Sequence, residues 1–404
     1  MESISINAES GDRVLIYDSA GNDKLTNEFG RVTLTGGTFE ASAEGFDKVF
    51  AYASGGHDTA HLHGTSGNDY FTSTESIAVL KNTDQEFVTR GWDALAVSGR
   101  GGQDIANIFD SASNDQFVLS PNSGHLNAGN YQVWVGGFQT INAHSVNGGF
   151  DSVELHDSAG NDFFHHQNDQ SILTGNGFLN VAHGFEWVQA QASSGNDVAQ
   201  IYDTAGNDTL RAGSYFTSLQ TGNNVVSASN FAQVTAIADS GGFDLAFVAG
   251  TAGTDFVAAD SSSVTIVDAN QNTNVARGFA EVDVDTKSGH DFTTLTGSEQ
   301  RDVLRGLEAG IEFETTLQLM RLVNSEDVEF DGNGGADEVL FEDFDRLDLL
   351  EAVGDKATAY LNNRRIEATD FSYLEAATRV GESSNYDIEA VDFLFLLDGD
   401  WDGE

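Results

Sequence analysis

Cysteine is absent from the 404 residues, which removes disulfides and thiolate metal sites and leaves the redox compartment nearly unconstrained. No apolar run reaches the roughly 18 to 20 residues that a membrane-spanning helix needs. The opening MESISINAES has neither the basic head nor the apolar core of a secretion signal. It already reads as a strand, so the expectation is a segment of a longer protein. Basic residues are scarce: 18 Lys and Arg stand against 64 Asp and Glu, a formal net charge of −46. That balance lacks the basic footprint of a binder of nucleic acid or anionic membranes. It favours cations, or keeps a large surface soluble. High net charge is also a mark of disorder, but 39% of the residues are hydrophobic and 28 are Phe, and these recur at fixed positions. Disorder is therefore rejected for most of the chain.

What recurs is a unit of about 46 residues. A Gly-rich turn closed by Asp ends at Asp12, Asp58, Asp104, Asp151, Asp197, Asp244, Asp291 and Asp337, with steps of 46, 46, 47, 46, 47, 47 and 46. A second Asp follows each by 11: Asp23, Asp69, Asp115, Asp162, Asp208, Asp255, Asp302 and Asp348. Two markers keeping step over eight copies mark a tandem array. An aromatic column keeps the same period at Phe46, Trp92, Phe138, Phe185, Phe231, Phe279 and, after a lapse at Ser325, Phe371. Three and five residues further on come Val49 and Ala51, Leu95 and Val97, Ile141 and Ala143, and so along the chain. This is period-two alternation, one face of a strand buried and the other exposed. Single large apolar residues follow the second Asp (Leu25, Phe71, Phe117, Phe164, Leu210), and a mid-unit column runs Leu34, Leu80, Leu126, Leu173, Leu219, Ile266.

Each unit thus predicts about four short strands separated by turns of Gly, Asn, Asp and Ser, residues that tolerate left-handed backbone or bond their own main chain. Helical signals are nearly absent up to about residue 305. Residues 1–306 read as regular repeats and residues 307–404 as degenerate repeats with a C-terminal cap, which an array needs to cover its last apolar layer. Two all-β architectures accept such units: a parallel β-solenoid of about eight repeats, and an eight-bladed β-propeller. The solenoid is favoured. Columns of small residues suit stacking at about 4.8 Å, turns 11 residues apart look like successive corners of one coil, and decay toward one end suits an open stack.

The turns of SGGFDLAFV (240–248) and TAGNDTLRA (204–212) resemble the repeats of secreted bacterial RTX-type proteins. That resemblance implies an extracellular or cell-surface setting and Ca²⁺ in the turns. The local step of 11 residues and the missing second Gly-x pair depart from that family's nine-residue unit.

Stacked Asp columns pose a problem of their own, because carboxylates about 4.8 Å apart repel by roughly 1 kcal/mol in water and some 3 to 4 kcal/mol at an effective dielectric of 20. Two compensations are open. Each carboxylate can cap its own turn by accepting backbone N–H bonds, or Ca²⁺ can be shared by oxygens of neighbouring turns. A third acidic column preceding the second turn (Asp18, Asp110, Asp157, Asp203, Asp343) supports the cation, whereas Gly64, Gly250 and Gly297 interrupt it. The candidate calcium ligands are Asp18, Asp23, Asp58, Asp69, Asp104, Asp110, Asp115, Asp151, Asp157, Asp162, Asp197, Asp203, Asp208, Asp244 and Asp255. The Asn column before the second Asp (Asn22, Asn68, Asn114, Asn161, Asn207) reads as structural. His61 and His63 share a strand face, which is thin support for a transition-metal site.

No catalytic residue is assigned. An active site would break the repeat, and the one basic spot beside an aromatic, Arg90 and Arg100 around Trp92, is weak. The expected function is a structural or adhesive segment of a secreted or surface protein, its partners other copies of itself, matrix components or glycans, with no nucleic acid and no membrane insertion. The alternative is a polysaccharide-binding or polysaccharide-cleaving β-helix.

Overall fold

A computed structural model describes residues 2–9, 11–28 and 30–403. Every regular element among them is a β-strand, most of five or six residues. The fold is a parallel β-solenoid of about 11 turns, not a propeller. The chain forms two compact bodies, residues 1–198 with 224–226, and residues 199–223 with 227–404.

In the first body one unit reads as follows. A leading strand, Thr59–His63, lies in one sheet. The chain then turns a corner into the other sheet and lays down an antiparallel meander, Tyr70–Thr74, Ile77–Lys81 and Glu86–Arg90, before a trailing strand, Ala94–Ser98, returns beside the leading one. The unit therefore holds five strands, not four. The expectation of four missed the last strand of the meander: the mid-unit column of Leu34, Leu80 and Leu126 marks the middle strand, whereas the last one (Phe39–Glu44, Glu86–Arg90, Tyr131–Gly136) buries a different set of residues in each unit.

Three corners per unit, at two corners per turn, make each unit one and a half turns. Successive units consequently place their meanders in opposite sheets. The meander Tyr70–Arg90 lies in the sheet opposite to Gln116–Ser120, Ser123–Ala128 and Tyr131–Gly136. The chain's single Pro, Pro121, stands in a hairpin turn of the latter. Alternation is physically required. A meander adds three strands to its sheet while the leading and trailing strands add two to the other, and strands are about 4.8 Å apart. If all meanders fell on one side, the sheets would grow apart by about 5 Å per unit. Over two units each sheet gains five.

The second body repeats the plan with Phe256–Ala259, Ser263–Val267 and Thr273–Arg277, then Val303–Leu307, Gly310–Glu314 and Leu319–Val323, then Leu349–Gly354, Lys356–Leu361 and Arg364–Thr369. The five-strand plan thus runs on beyond residue 307, where the letters degenerate.

The sequence columns are the core. Phe71, Phe117, Phe138 and Phe164 in the first body, and Phe279, Phe313, Phe330 and Phe341 in the second, are fully enclosed. Phe117 meets Phe185 edge-on at 5.1 Å between ring centroids, a favourable geometry for aromatic pairs. The residue before each member of the aromatic column, Ser325 included, has positive φ: Gly45, Gly91, Gly137 and Gly184 in the first body, Asn230, Gly278, Asn324 and Asp370 in the second. A Cβ on Gly91 would lie 2.6 Å from the Ala53 carbonyl oxygen, so close rung-to-rung approach adds to the need for left-handed backbone.

Candidate functional site

The site with repeated chemistry is the corner. It starts from a hydroxyl column, Ser19, Thr65, Ser111 and Ser158 in the first body and Thr204, Thr251 and Ser298 in the second, four residues before the second Asp of the first seven units. At Asp23, Oδ2 accepts the Ser19 amide at 2.9 Å and the Ser19 hydroxyl at 2.8 Å. The Ser19 oxygen in turn accepts the Gly21 amide at 3.2 Å. The same bonds recur at Thr65–Asp69, Ser158–Asp162 and Thr204–Asp208. Small hydroxyl side chains suit the position because they reach their own turn's amides, as Asp345 also does before Asp348.

The corner then binds the next one. The Asp23 amide donates to Asp58 Oδ1 at 2.8 Å, and the Asp58 amide donates to Asp93 Oδ2 at 2.8 Å. Equivalent pairs are Asp69 with Asp104, Asp115 with Asp151, Asp162 with Asp197, Asp208 with Asp244, Asp255 with Asp291 and Asp302 with Asp337. Gln139, Glu186 and Glu326 serve as Asp93 does. These third rungs escaped sequence reading, although a polar letter directly after the aromatic column was the available signal. Each Asn of its column accepts the amide preceding the first Asp of the next turn, as Asn68 does from Gln103 at 2.9 Å. Turn capping is thus present at all seven corners. The expected columns of eight stacked Asp do not form. The one-and-a-half-turn unit sends successive corners to opposite edges, so the second Asp of one unit stacks on the first Asp of the next, and the column ends one rung later at Asp93, Gln139, Glu186 or Glu326.

The candidate ligands divide accordingly. Asp18, Asp23 and Asp58 bring carboxylate oxygens within 4.8 Å of one another, as do Asp157, Asp162 and Asp197, and, in the second body, Asp203, Asp208 and Asp244. Asp110, Asp115 and Asp151 have the right letters but form no such triad. The Asn147 amide and side chain occupy Asp110, and the Ser145 hydroxyl occupies Asp151 at 2.7 Å. Asp69 with Asp104 is a pair without a third carboxylate, because Gly64 stands in the place of one and the third rung is Gln139; at Asp255 with Asp291, Gly250 stands there, and the further carboxylate is that of Glu326 on the Asp291 amide. Burial holds Asp58, Asp104, Asp115, Asp151, Asp197, Asp244 and Asp291 above the ordinary carboxylate range, with neighbouring carboxylates adding to the rise. Hydrogen bonds to the charged form pull the other way but do not cancel it. Chemically, a triad of hard oxygens with spare lone pairs can hold a divalent cation. Asp23 Oδ1 is buried without a hydrogen-bond partner.

The other sequence candidates fare differently. His61 and His63 point outward from one strand, and among the described residues no histidine joins a three-ligand cluster. Trp92 is buried, with its Nε1 donating to the Ala51 carbonyl at 3.3 Å, and Arg100 pairs with Glu28 at 3.1 Å. The basic spot around Trp92 is therefore no ring platform. No protein-family model and no curated protein matches the chain.

Proposed function

We propose that the chain is a structural or adhesive repeat segment of a secreted or cell-surface bacterial protein, with Ca²⁺ bound at the three Asp triads. The observation that carries the reading is where the polar side chains are used: hydroxyl, Asp and Asn columns are spent on joining one turn to the next. The RTX-like turns support the extracellular setting. The triads support the cation, since Ca²⁺ takes six to eight oxygens in flexible geometry. Capping leaves it room, because an ionised carboxylate has about four lone-pair sites.

Melting at fixed ionic strength, in millimolar Ca²⁺ and in chelator, tests the reading. Binding to the folded state alone adds about 2.7 kcal/mol per site at a hundredfold excess over Kd. Asp203→Asn should blunt the response, whereas Asp110→Asn should leave it intact. Identical melting in Ca²⁺ and in chelator removes calcium from the account, and a protein that remains monomeric at all concentrations removes self-assembly.

A second reading, polysaccharide binding, is favoured by an unrepeated hollow of about 700 Å³ in the second body. Phe216 and Phe247 offer apolar surface there beside Asp283, Lys287 and Arg321, and the Arg211 guanidinium lies 4.9 Å from the Phe247 ring centroid. Soluble polysaccharides that bind the parent but not Arg211→Ala with Phe247→Ala would establish it, and equal binding to both would dismiss it.

A further inference from the structure

One carboxyl group of the second body has surroundings that differ from those of the Asp triads. Asp337 is fully enclosed. Its Oδ1 accepts the Asp302 amide at 2.7 Å, but its Oδ2 is buried without a hydrogen-bond partner. The oxygen is turned toward Gly332. A Cβ added to that glycine would lie 2.6 Å from Asp337 Oδ2 and would collide with the Asp370 carbonyl oxygen. Two oxygens therefore converge on one side chain-free spot, and neither brings a hydrogen. An ionised Oδ2 facing a carbonyl in a dry corner is an acceptor against an acceptor, which costs the full desolvation of a charged group. The corner at Asp151 shows the ordinary solution, because there a hydroxyl, Ser145, donates to the equivalent Oδ2 at 2.7 Å. At Asp337 the chain supplies no such donor, and Gly332 leaves no side chain that could become one.

We propose that Asp337 is a proton-binding site: at mildly acidic pH it is a neutral carboxylic acid whose Oδ2 hydroxyl donates to the Asp370 carbonyl, closing the corner. This goes beyond the calcium reading, since Asp337 belongs to no triad. Two charged groups face it. Asp302 comes from the preceding turn, and Asp370 from the following one, its own carboxylate taken by the Gly334 amide at 2.7 Å. Arg301, next to Asp302 in the chain, is turned outward onto Glu338 at 2.6 Å. Burial, then the Asp302 and Asp370 charges, push the Asp337 carboxyl up to about 6. Above that pH the proton leaves, the two oxygens repel, and the corner loosens. The same placement of a buried, partnerless Oδ2 beside a glycine and a carbonyl recurs in the first body at Asp104, Gly99 and Gly137.

The test is made on the full chain in chelator, so that calcium plays no part. Asp337→Asn keeps an acceptor for the Asp302 amide and supplies a permanent N–H donor toward Asp370. It should melt at least as high as the parent at pH 7.5, with a smaller change in Tm between pH 5 and 7.5. Asp302→Asn should move the Asp337 titration downward by removing a neighbouring charge. Should Asp337→Asn fail to fold, the side-chain carboxyl ¹³C resonances of the Asp-labelled parent still report. A buried aspartate titrating near pH 6 supports the site. Titration of every aspartate near the ordinary value of about 3.9 overturns it, as does a folded Asp337→Asn whose pH profile matches the parent's.

Discussion

Deleting residues 105–151 removes one unit, two strands from one sheet of the first body and three from the other. Deleting Thr59–Asp93 removes one complete turn instead, the strand Thr59–His63 and the meander Tyr70–Arg90. The shorter excision looks gentler but should be the harmful one. After loss of a unit, every downstream strand exchanges sheets, and the alternation of meanders is preserved. After loss of a turn, one sheet falls two strands behind the other, about 10 Å at the usual spacing. Two strands then lack a facing layer, each with two inward apolar side chains of the kind of Leu95 and Val97. At roughly 1.5 to 3 kcal/mol per side chain, the loss is about 6 to 12 kcal/mol, against a typical domain stability of 5 to 15 kcal/mol. Circular dichroism and urea unfolding of both deletion variants read the outcome. The unit deletion should give a cooperative transition with an m-value reduced in proportion to length. The turn deletion should be unfolded or molten. If the two fold equally well, the one-and-a-half-turn repeat is wrong.

Phe185→Ala should cost roughly 3 to 5 kcal/mol by denaturant melting, as deletion of an enclosed ring against Phe117 does, while Gln189→Ala, on the outer face of the adjoining strand, should stay within about 0.5 kcal/mol; equal effects would contradict the strand phase. In chelator, the contribution of the raised corner carboxyls to stability should fall as pH rises from about 4 to 7, read as the difference in Tm–pH profile between the parent and Asp337→Asn. A carboxyl whose folded pKa is raised contributes stability below its unfolded pKa and loses it as pH climbs through the folded value, and seven corner Asp besides Asp337 are raised by burial. Asp337 alone can contribute up to about 3 kcal/mol at 1.36 kcal/mol per pKa unit. Asp285 and Asp260, where burial is outweighed by hydrogen bonds, run the opposite way, as do His61, His63, His125, His144, His166 and His183, which burial lowers; a parent profile no steeper downward than that of Asp337→Asn would refute the account. Ser158→Ala should cost about 1 kcal/mol, the scale of a lost capping bond, because Asp162 loses the hydroxyl at 2.8 Å but keeps the backbone amide.

The strand phase, the core columns and the identity of the corners were legible because each depends on one residue type recurring at one phase. Phe138 or Val188 inside and Gln189 outside follow from period-two alternation alone. The sheet assignment was not legible for the same reason: alternation looks identical in either sheet, so nothing in the letters of one unit tells that its neighbour faces the other way. That information sits in a count, three corners against two per turn, and a count of corners needs the last strand of each meander, which no single recurring letter marks. The error then propagated to chemistry. A unit taken as a whole number of turns stacks Asp58 on Asp104 and builds continuous columns of charge. A unit of one and a half turns stacks Asp23 on Asp58, ends the column at Asp93, and starts another on the opposite edge. Repulsion that would have accumulated over eight carboxylates is thereby confined to small groups, four at most, as at Asp18, Asp23, Asp58 and Asp93. Each group is small enough to be met locally, by backbone and hydroxyl donors everywhere, by Asn147 and Ser145 at Asp110 and Asp151, by glycine in place of a further acid at Asp69 and Asp255, and by a proton at Asp337. At the triads of Asp18, Asp157 and Asp203 the third acid is likewise met by a backbone amide of the next turn, from Ser54, Ser193 and Ser240, yet the three carboxylates stay within 4.8 Å of one another, and it is there that the proposed Ca²⁺ would add a balancing charge.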